Sequence, residues 1–201
     1  MMESDKTPTV SDRPQRKSPL AVGAVVIALL AALLGVNMVS SLEHCDELRG
    51  PRRGKPAPSF SLKTIEGRDV ALASFVGKVV VLDFWASWCG PCVQKFPALE
   101  AMQGELGPRG FQVVAINMER DAKTVRKFLG KRLQARQRKG QGASAIVSLL
   151  DDGQTSAHYS VQTLPHVVLV DREGKVAYTQ VGGGGIQRLR KHVLTALGED
   201  A

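Results

Sequence analysis

The stretch KVVVLDFWASWCGPC, residues 78–92, constrains this chain more than any other. Residues 78–86 form a continuous apolar run rich in β-branched side chains, which suits a strand covered on both faces. Two cysteines, Cys89 and Cys92, follow in C-x-x-C spacing with Gly90 and Pro91 between them. Proline fits the first turn of a helix, where its missing N–H costs no helix bond. The stretch therefore predicts a central strand, a turn and a helix from about Cys89 to Leu106, with Phe96, Leu99, Met102 and Leu106 at helical spacing. Pro97 is expected to kink that helix.

The remainder supplies the layers such a strand needs. FSL and DVALASF flank the turn-like KTIEGR and predict a small hairpin. FQVVAIN (111–117) reads as a second buried strand, residues 121–138 as a basic helix, and AIVSLL (145–150) as a short strand. GQTSAHYSV holds a short helix. HVVLVD (166–171) and KVAYTQV (175–181) read as strands joined by REG, with Gly174 at positive φ. IQRLRKHVLTAL (186–197) sets Ile186, Leu189, Val193 and Leu197 on one face of a closing helix. Strands alternating with helices, then a hairpin and a helix, predict an α/β fold around one sheet.

A cysteine is a nucleophile as thiolate, and a free thiol has a pKa of roughly 8.5. A strand-to-helix turn puts Cys89 at the helix N-terminus, where unpaired N–H groups and the dipole stabilise an anion. Cys92 lies one turn on. Cys89 can attack a partner disulfide, and Cys92 can resolve the mixed disulfide. Asp83 sits inside the apolar strand, where burial without a partner raises a carboxyl pKa. Such a group can take the proton that Cys92 must lose. The alternative for Asp83 is a solvent-facing strand edge, against which its apolar neighbours argue.

Other readings of the cysteine pair are weaker. Structural zinc takes four Cys or His ligands, but the chain has one C-x-x-C, and His158 and His166 form no closely spaced pair. No metal or other cofactor is expected. A purely structural bridge across so short a loop would stabilise little. A peroxidase reading lacks an isolated peroxidatic cysteine. With three cysteines in 201 residues, a disulfide-stapled scaffold is excluded.

Residues 20–39, LAVGAVVIALLAALLGVNMV, carry no charge and are long enough as a helix to span ~30 Å of hydrocarbon. A cleaved signal peptide has a shorter apolar core and a small-residue site, and MVSSL is a poor one. A lipid anchor on Cys45 is disfavoured by Glu43 and His44 before it. The expected organisation is a polar cytoplasmic tail (1–19), a transmembrane helix (20–40), a linker (41–57) and a globular domain (58–198). Basic residues flank the span on both sides. Arg16 and Lys17 lie closer to it than Arg49 does, and a large domain translocates largely regardless of charge. The domain is therefore expected outside the cytoplasmic membrane. Cys45, just past the span, is either a free thiol or an intermolecular bridge.

The net charge of +8 is concentrated in residues 120–142, with nine Lys/Arg against one Asp. A solvated helix face is the simpler reading, and contact with anionic lipid or an acidic partner the sharper one. Nucleic-acid binding is not expected: no such motif occurs, and aromatics make up 5% of the chain.

WCGPC (88–92), within VLDFWASWCGPC and followed by Pro97, is similar to the active site of the thioredoxins. TLPHVVLVDREGKVAYTQVGG (163–183) resembles their cis-proline region, and PAPSFSLKTIEGRDVALASFVGKVVVLDFWA resembles the TlpA/ResA branch of membrane-anchored thioredoxin-like proteins. The resemblance spans about residues 56–198. It implies a thioredoxin fold, a central mixed sheet flanked by helices, with an N-terminal hairpin extension and a helical insert. It implies catalysis by a redox-active Cys89–Cys92 pair, with Asp83 as the buried acid and Pro165 in a cis peptide opposite the cysteines. Trp88, Gly90, Pro91, Leu164 and His166 would border the substrate, with the Leu164 backbone pairing to it. Relatives of this kind reduce protein disulfides outside the cytoplasm, in cytochrome c maturation or copper-site assembly, with electrons from a membrane thiol carrier of the CcdA/DsbD kind. A disulfide oxidase, or a non-catalytic adaptor or metallochaperone, is the alternative. Lys95 departs from the Glu common in that branch, and Asp83 from its common Asn.

Overall fold

The computed structural model describes residues 51–199, together with Leu29 and Ala31. The expected tail, the body of the expected transmembrane segment and Cys45 lie outside the described residues. Among the described residues no helix is long and apolar enough to cross a membrane.

Seven strands form one sheet: β1 Ser61–Thr64, β2 Asp69–Ala71, β3 Val79–Trp85, β4 Phe111–Asn117, β5 Val147–Leu150, β6 His166–Val170 and β7 Val176–Val181. Within residues 51–199 four α-helices accompany them: α1 Gly90–Leu106, α2 Ala122–Arg138, α3 Gln154–His158 and α4 Ile186–Leu197. The strand order is β2-β1-β5-β4-β3-β6-β7. β3, β4 and β5 run parallel, while β6, β7 and β1 are antiparallel to their neighbours. This is the mixed sheet of a thioredoxin fold. The β1–β2 hairpin extends it beyond β5.

All seven residues of β3 are buried, as its apolar run, interrupted by Asp83 alone, leads one to expect. Alternation along the strand divides them between two cores. Val80, Leu82 and Phe84 pack with Phe60, Leu62, Tyr159, Val168 and Val170 on one side. Val79 and Val81 pack under Leu99, Met102 and Leu106 of α1 and Leu189, Val193 and Leu197 of α4 on the other. Asp83 shares the parity of Val79 and Val81. A third cluster, containing Trp85, Cys89, Cys92, Phe96 and Val125, closes the C-terminal end of β3.

Pro97 lies inside α1 rather than ending it. It has no N–H for the carbonyl of Val93, but Phe96, Leu99 and Met102 are buried around it and hold the helix on the sheet. α2 starts at Asp121, whose carboxylate accepts the backbone N–H groups of Lys123 (2.9 Å) and Thr124 (3.2 Å). α2 is tied to α1 through Glu100, which receives Arg132 at 3.1 Å and Arg136 at 2.8 Å. β5 begins at Val147, two residues later than the apolar pattern suggests. The N-terminal segment joins the sheet beside β7, where Gly54 N–H donates to Val176 O at 2.7 Å and Ala57 N–H to Gly174 O at 2.9 Å. Val176 pairs with Val170 at the end of β6, whereas the cysteines follow the C-terminal end of β3. The chain thus enters the domain at the end of the sheet opposite Cys89.

Candidate active site

Cys89 is the N-cap of α1, in extended conformation, and Pro91 occupies the first turn. The Cys89 sulfur accepts the backbone N–H of Cys92 at 3.3 Å. The two cysteines form a disulfide, S–S 2.02 Å. Burial distinguishes them: Cys89 is 6% exposed and Cys92 fully buried. Beside Cys89, Trp88 is 73% exposed, and Gly90 and Pro91 are exposed too. A partner can therefore approach Cys89 but not Cys92.

The Leu164–Pro165 peptide bond is cis. Leu164 packs against the cluster that contains both cysteines. It precedes the first ladder residue of β6, and Pro165 O accepts Gly182 N–H at 2.8 Å. The structure thus brings Cys89, Cys92, Trp88, Leu164 and Pro165 to one end of the sheet. His166 is different. It is 4% exposed, faces Phe84 across the ladder and lies edge-on to that ring at 5.8 Å. The same alternation that points Phe84 into the core points His166 there. Neither ring nitrogen has a hydrogen-bond partner, and burial, aided by the positive charge of Lys95, holds its pKa below the ordinary value.

Asp83 is fully buried, and it has a partner that the strand pattern did not suggest. Lys95 Nζ, on α1, stands 2.5 Å from Asp83 Oδ1, with the lysine side chain 16% exposed. The groups meet as opposite charges, without the angles of a hydrogen bond, and none of the three atoms has another partner. Burial pushes the Asp83 pKa up and Lys95 pulls it partly back, leaving it at about 6. The sequence signal for this contact was helical spacing. Lys95 lies three residues after Cys92 and four before Leu99, on the inward side of α1.

A further acid braces the turn before Cys89. Glu119, two residues beyond β4, accepts Ser87 N–H at 2.7 Å, Ser87 Oγ–H at 2.8 Å and Asn117 Nδ2–H at 3.1 Å. Its own N–H donates to Asn117 Oδ1 at 2.8 Å. Burial raises its pKa, but these donors outweigh burial and hold the carboxyl below the ordinary range. No periodicity reveals a contact across 32 residues of chain. Among the described residues no group of three or more His, Cys, Asp or Glu side chains is placed to hold a metal. The site's chemistry is that of a reversible dithiol/disulfide pair at the start of α1, with a buried carboxyl held by Lys95 of the same helix.

The model of the Redoxin family matches residues 52–193. A curated relative, Thioredoxin-like protein YneN of Bacillus subtilis, is 30% identical over 164 residues, covering 80% of this chain and 89% of that protein. Thiol-disulfide oxidoreductase ResA of the same organism is 28% identical, over 84% of this chain and 88% of its own. Among solved structures, a thiol:disulfide interchange protein DsbE from Chlorobium tepidum superposes with a TM-score of 0.65 at 38% identity, over 74% of this chain and all of that one.

Proposed function

Because the chain belongs to the Redoxin family, as a thioredoxin-like thiol–disulfide oxidoreductase of the TlpA/ResA type, we propose that it reduces protein disulfides through Cys89 and Cys92 on the outer side of the cytoplasmic membrane. The observation that carries this reading is the unequal burial of the pair at the start of α1: Cys89 within reach beside exposed Trp88, Cys92 sealed beneath it.

The steps follow from that arrangement. The Cys89 thiolate attacks one sulfur of a partner disulfide, and the other partner sulfur leaves as thiolate and takes up a proton. The partner is now held to Cys89 as a mixed disulfide, its strand laid along the Leu164 backbone beside Pro165. Cys92 gives its proton to the Asp83 carboxylate and attacks Cys89 Sγ. The second partner sulfur leaves as thiolate and takes up a proton, the Cys89–Cys92 disulfide forms, and Asp83 releases the Cys92 proton to solvent. The partner has gained two electrons and two protons. A membrane dithiol carrier of the CcdA/DsbD kind returns two electrons to the pair. Residues 20–40 form the single-pass anchor that keeps the domain outside, and the substrates are disulfides of cytochrome c maturation or copper-site assembly.

Residues 56–201 are expected to reduce insulin with dithiothreitol as donor, and Cys89→Ser to remove that activity. Equal rates in the two proteins would end the catalytic reading. Cys92→Ser is expected to leave the substrate covalently on Cys89, where mass spectrometry identifies it. Deletion of residues 20–39 should move the protein from the membrane to the soluble fraction, and a C-terminal reporter active only in the cytoplasm would overturn the topology.

A further inference from the structure

We infer that Glu119 is a positioning residue for the nucleophile: it clamps Ser87 at the base of the turn and so holds Cys89 at the N-terminus of α1. The inference rests on the reading of Cys89 as the attacking sulfur.

Between Trp85, the last residue of β3, and Gly90, the first of α1, only four residues make the turn. Cys89 N–H bonds back to Ala86 O at 3.1 Å, so the sulfur's position follows that of residues 86–88. Ser87 is where the turn is tied to the segment that follows β4. Both its polar hydrogens go to the Glu119 carboxylate, N–H to Oε2 and Oγ–H to Oε1. A bidentate grip fixes orientation as well as distance, and bonds to a carboxylate are the stronger kind.

Glu119 is itself held by rigid structure. Asn117 ends β4 opposite Trp85 in the ladder, and it both donates to the Glu119 carboxylate and accepts the Glu119 N–H. Met118 N–H bonds Trp85 O at 2.9 Å, and Asp151 N–H bonds Asn117 O at 2.9 Å. The chain of contacts runs from the sheet through Asn117 and Glu119 to Ser87, and from there to Cys89. The sheet thus sets where the turn sits, and the turn sets whether Cys89 Sγ meets the Cys92 N–H. Displacement of a reacting atom by about an ångström can cost orders of magnitude in rate.

Glu119→Gln separates geometry from charge. Its oxygen can accept Ser87 N–H and Asn117 Nδ2–H, and its amide can donate to a reoriented Ser87 hydroxyl, so the clamp survives while the negative charge is lost. Glu119→Ala removes both. The test follows the reaction of the reduced full-length protein with the neutral probe 4,4′-dithiodipyridine across pH, alongside its thermal melting. Glu119→Ala is expected to lower the rate plateau about tenfold, the equivalent of one or two lost hydrogen bonds. Glu119→Gln should recover the parent rate within about threefold, and Ser87→Ala, which keeps the N–H bond, should fall between. Ala and Gln variants that react alike would overturn the clamp, whether both are slow, pointing to charge, or both match the parent. If Glu119→Ala does not fold, the comparison of Glu119→Gln with Ser87→Ala decides: Ser87→Ala must be the slower. The parent and Cys89→Ser provide the control on the underlying reading, since a parent no faster than Cys89→Ser refutes the nucleophile and not the clamp alone.

Discussion

At the residue scale, the Asp83–Lys95 pair is where stability and chemistry oppose each other. The ordinary carboxyl value of 3.8 is raised to about 6 in the fold. Below the unfolded value both states hold the proton, and Asp83 carries no ionisation penalty. As pH rises from about 4 to 6 the unfolded chain ionises first, so stability falls; above about 6 the loss is constant, on the order of 3 kcal/mol. That is comparable to the gain from burying one Leu or Phe, which the surrounding core supplies many times over. Asp83→Asn should therefore be more stable than the parent at pH 8 by up to about 3 kcal/mol, with no gain at pH 3.5, as urea unfolding at the two pH values will read. Resolution of a mixed disulfide should show a step near pH 6 that Asp83→Asn flattens. Lys95→Met removes the charge that pulls the pKa back, so the same step should move to higher pH. A step that stays put in both variants would remove Asp83 from the proton path.

At the element scale, α1 carries the site and α2 carries the charge. α1 is held by Leu99, Met102 and Leu106 against the sheet, and Leu99→Ala should cost about 2–5 kcal/mol by unfolding. Its N-terminus presents Cys89, so a loosened α1 loses reactivity as well as stability. α2 depends more on polar contacts, because Val125 is its one fully buried residue. Asp121→Ala, which deletes the cap, should lower stability by about 1 kcal/mol and speed amide exchange in the first turn of α2. The basic residues of α2 do not all face solvent alone: Arg132 and Arg136 are committed to Glu100, and Arg132 also lies 4.7 Å over the Phe96 ring. Part of the charge concentration in residues 120–142 is thus structural glue between two helices.

At the scale of the whole molecule, the sheet separates two tasks. The N-terminal segment joins beside the start of β7, and the cysteines lie past the opposite end of β3. Chain entry at the first end leaves the second open to a partner. A chain that begins at residue 51 should therefore reduce insulin at the parent rate, and a large loss of rate would show that the N-terminal region takes part in the reaction.

Much of this was legible from the chain alone. The strand, the turn with Cys89 and Cys92, the helix after it and the hairpin at Gly174 follow from local patterns, since burial on both faces, helix capping and turn geometry are satisfied by residues near one another in sequence. The fold class and the dithiol chemistry came with them. Tertiary structure alone decided the rest. Which face of β3 Asp83 takes, and hence that Lys95 meets it, depends on where α1 packs. The burial of His166 depends on the register of β6 against β3, and a one-residue slip would have put its ring on the other face. The grip of Glu119 on Ser87 exists only because β4 lies parallel to β3 and ends beside it, a contact no local pattern encodes.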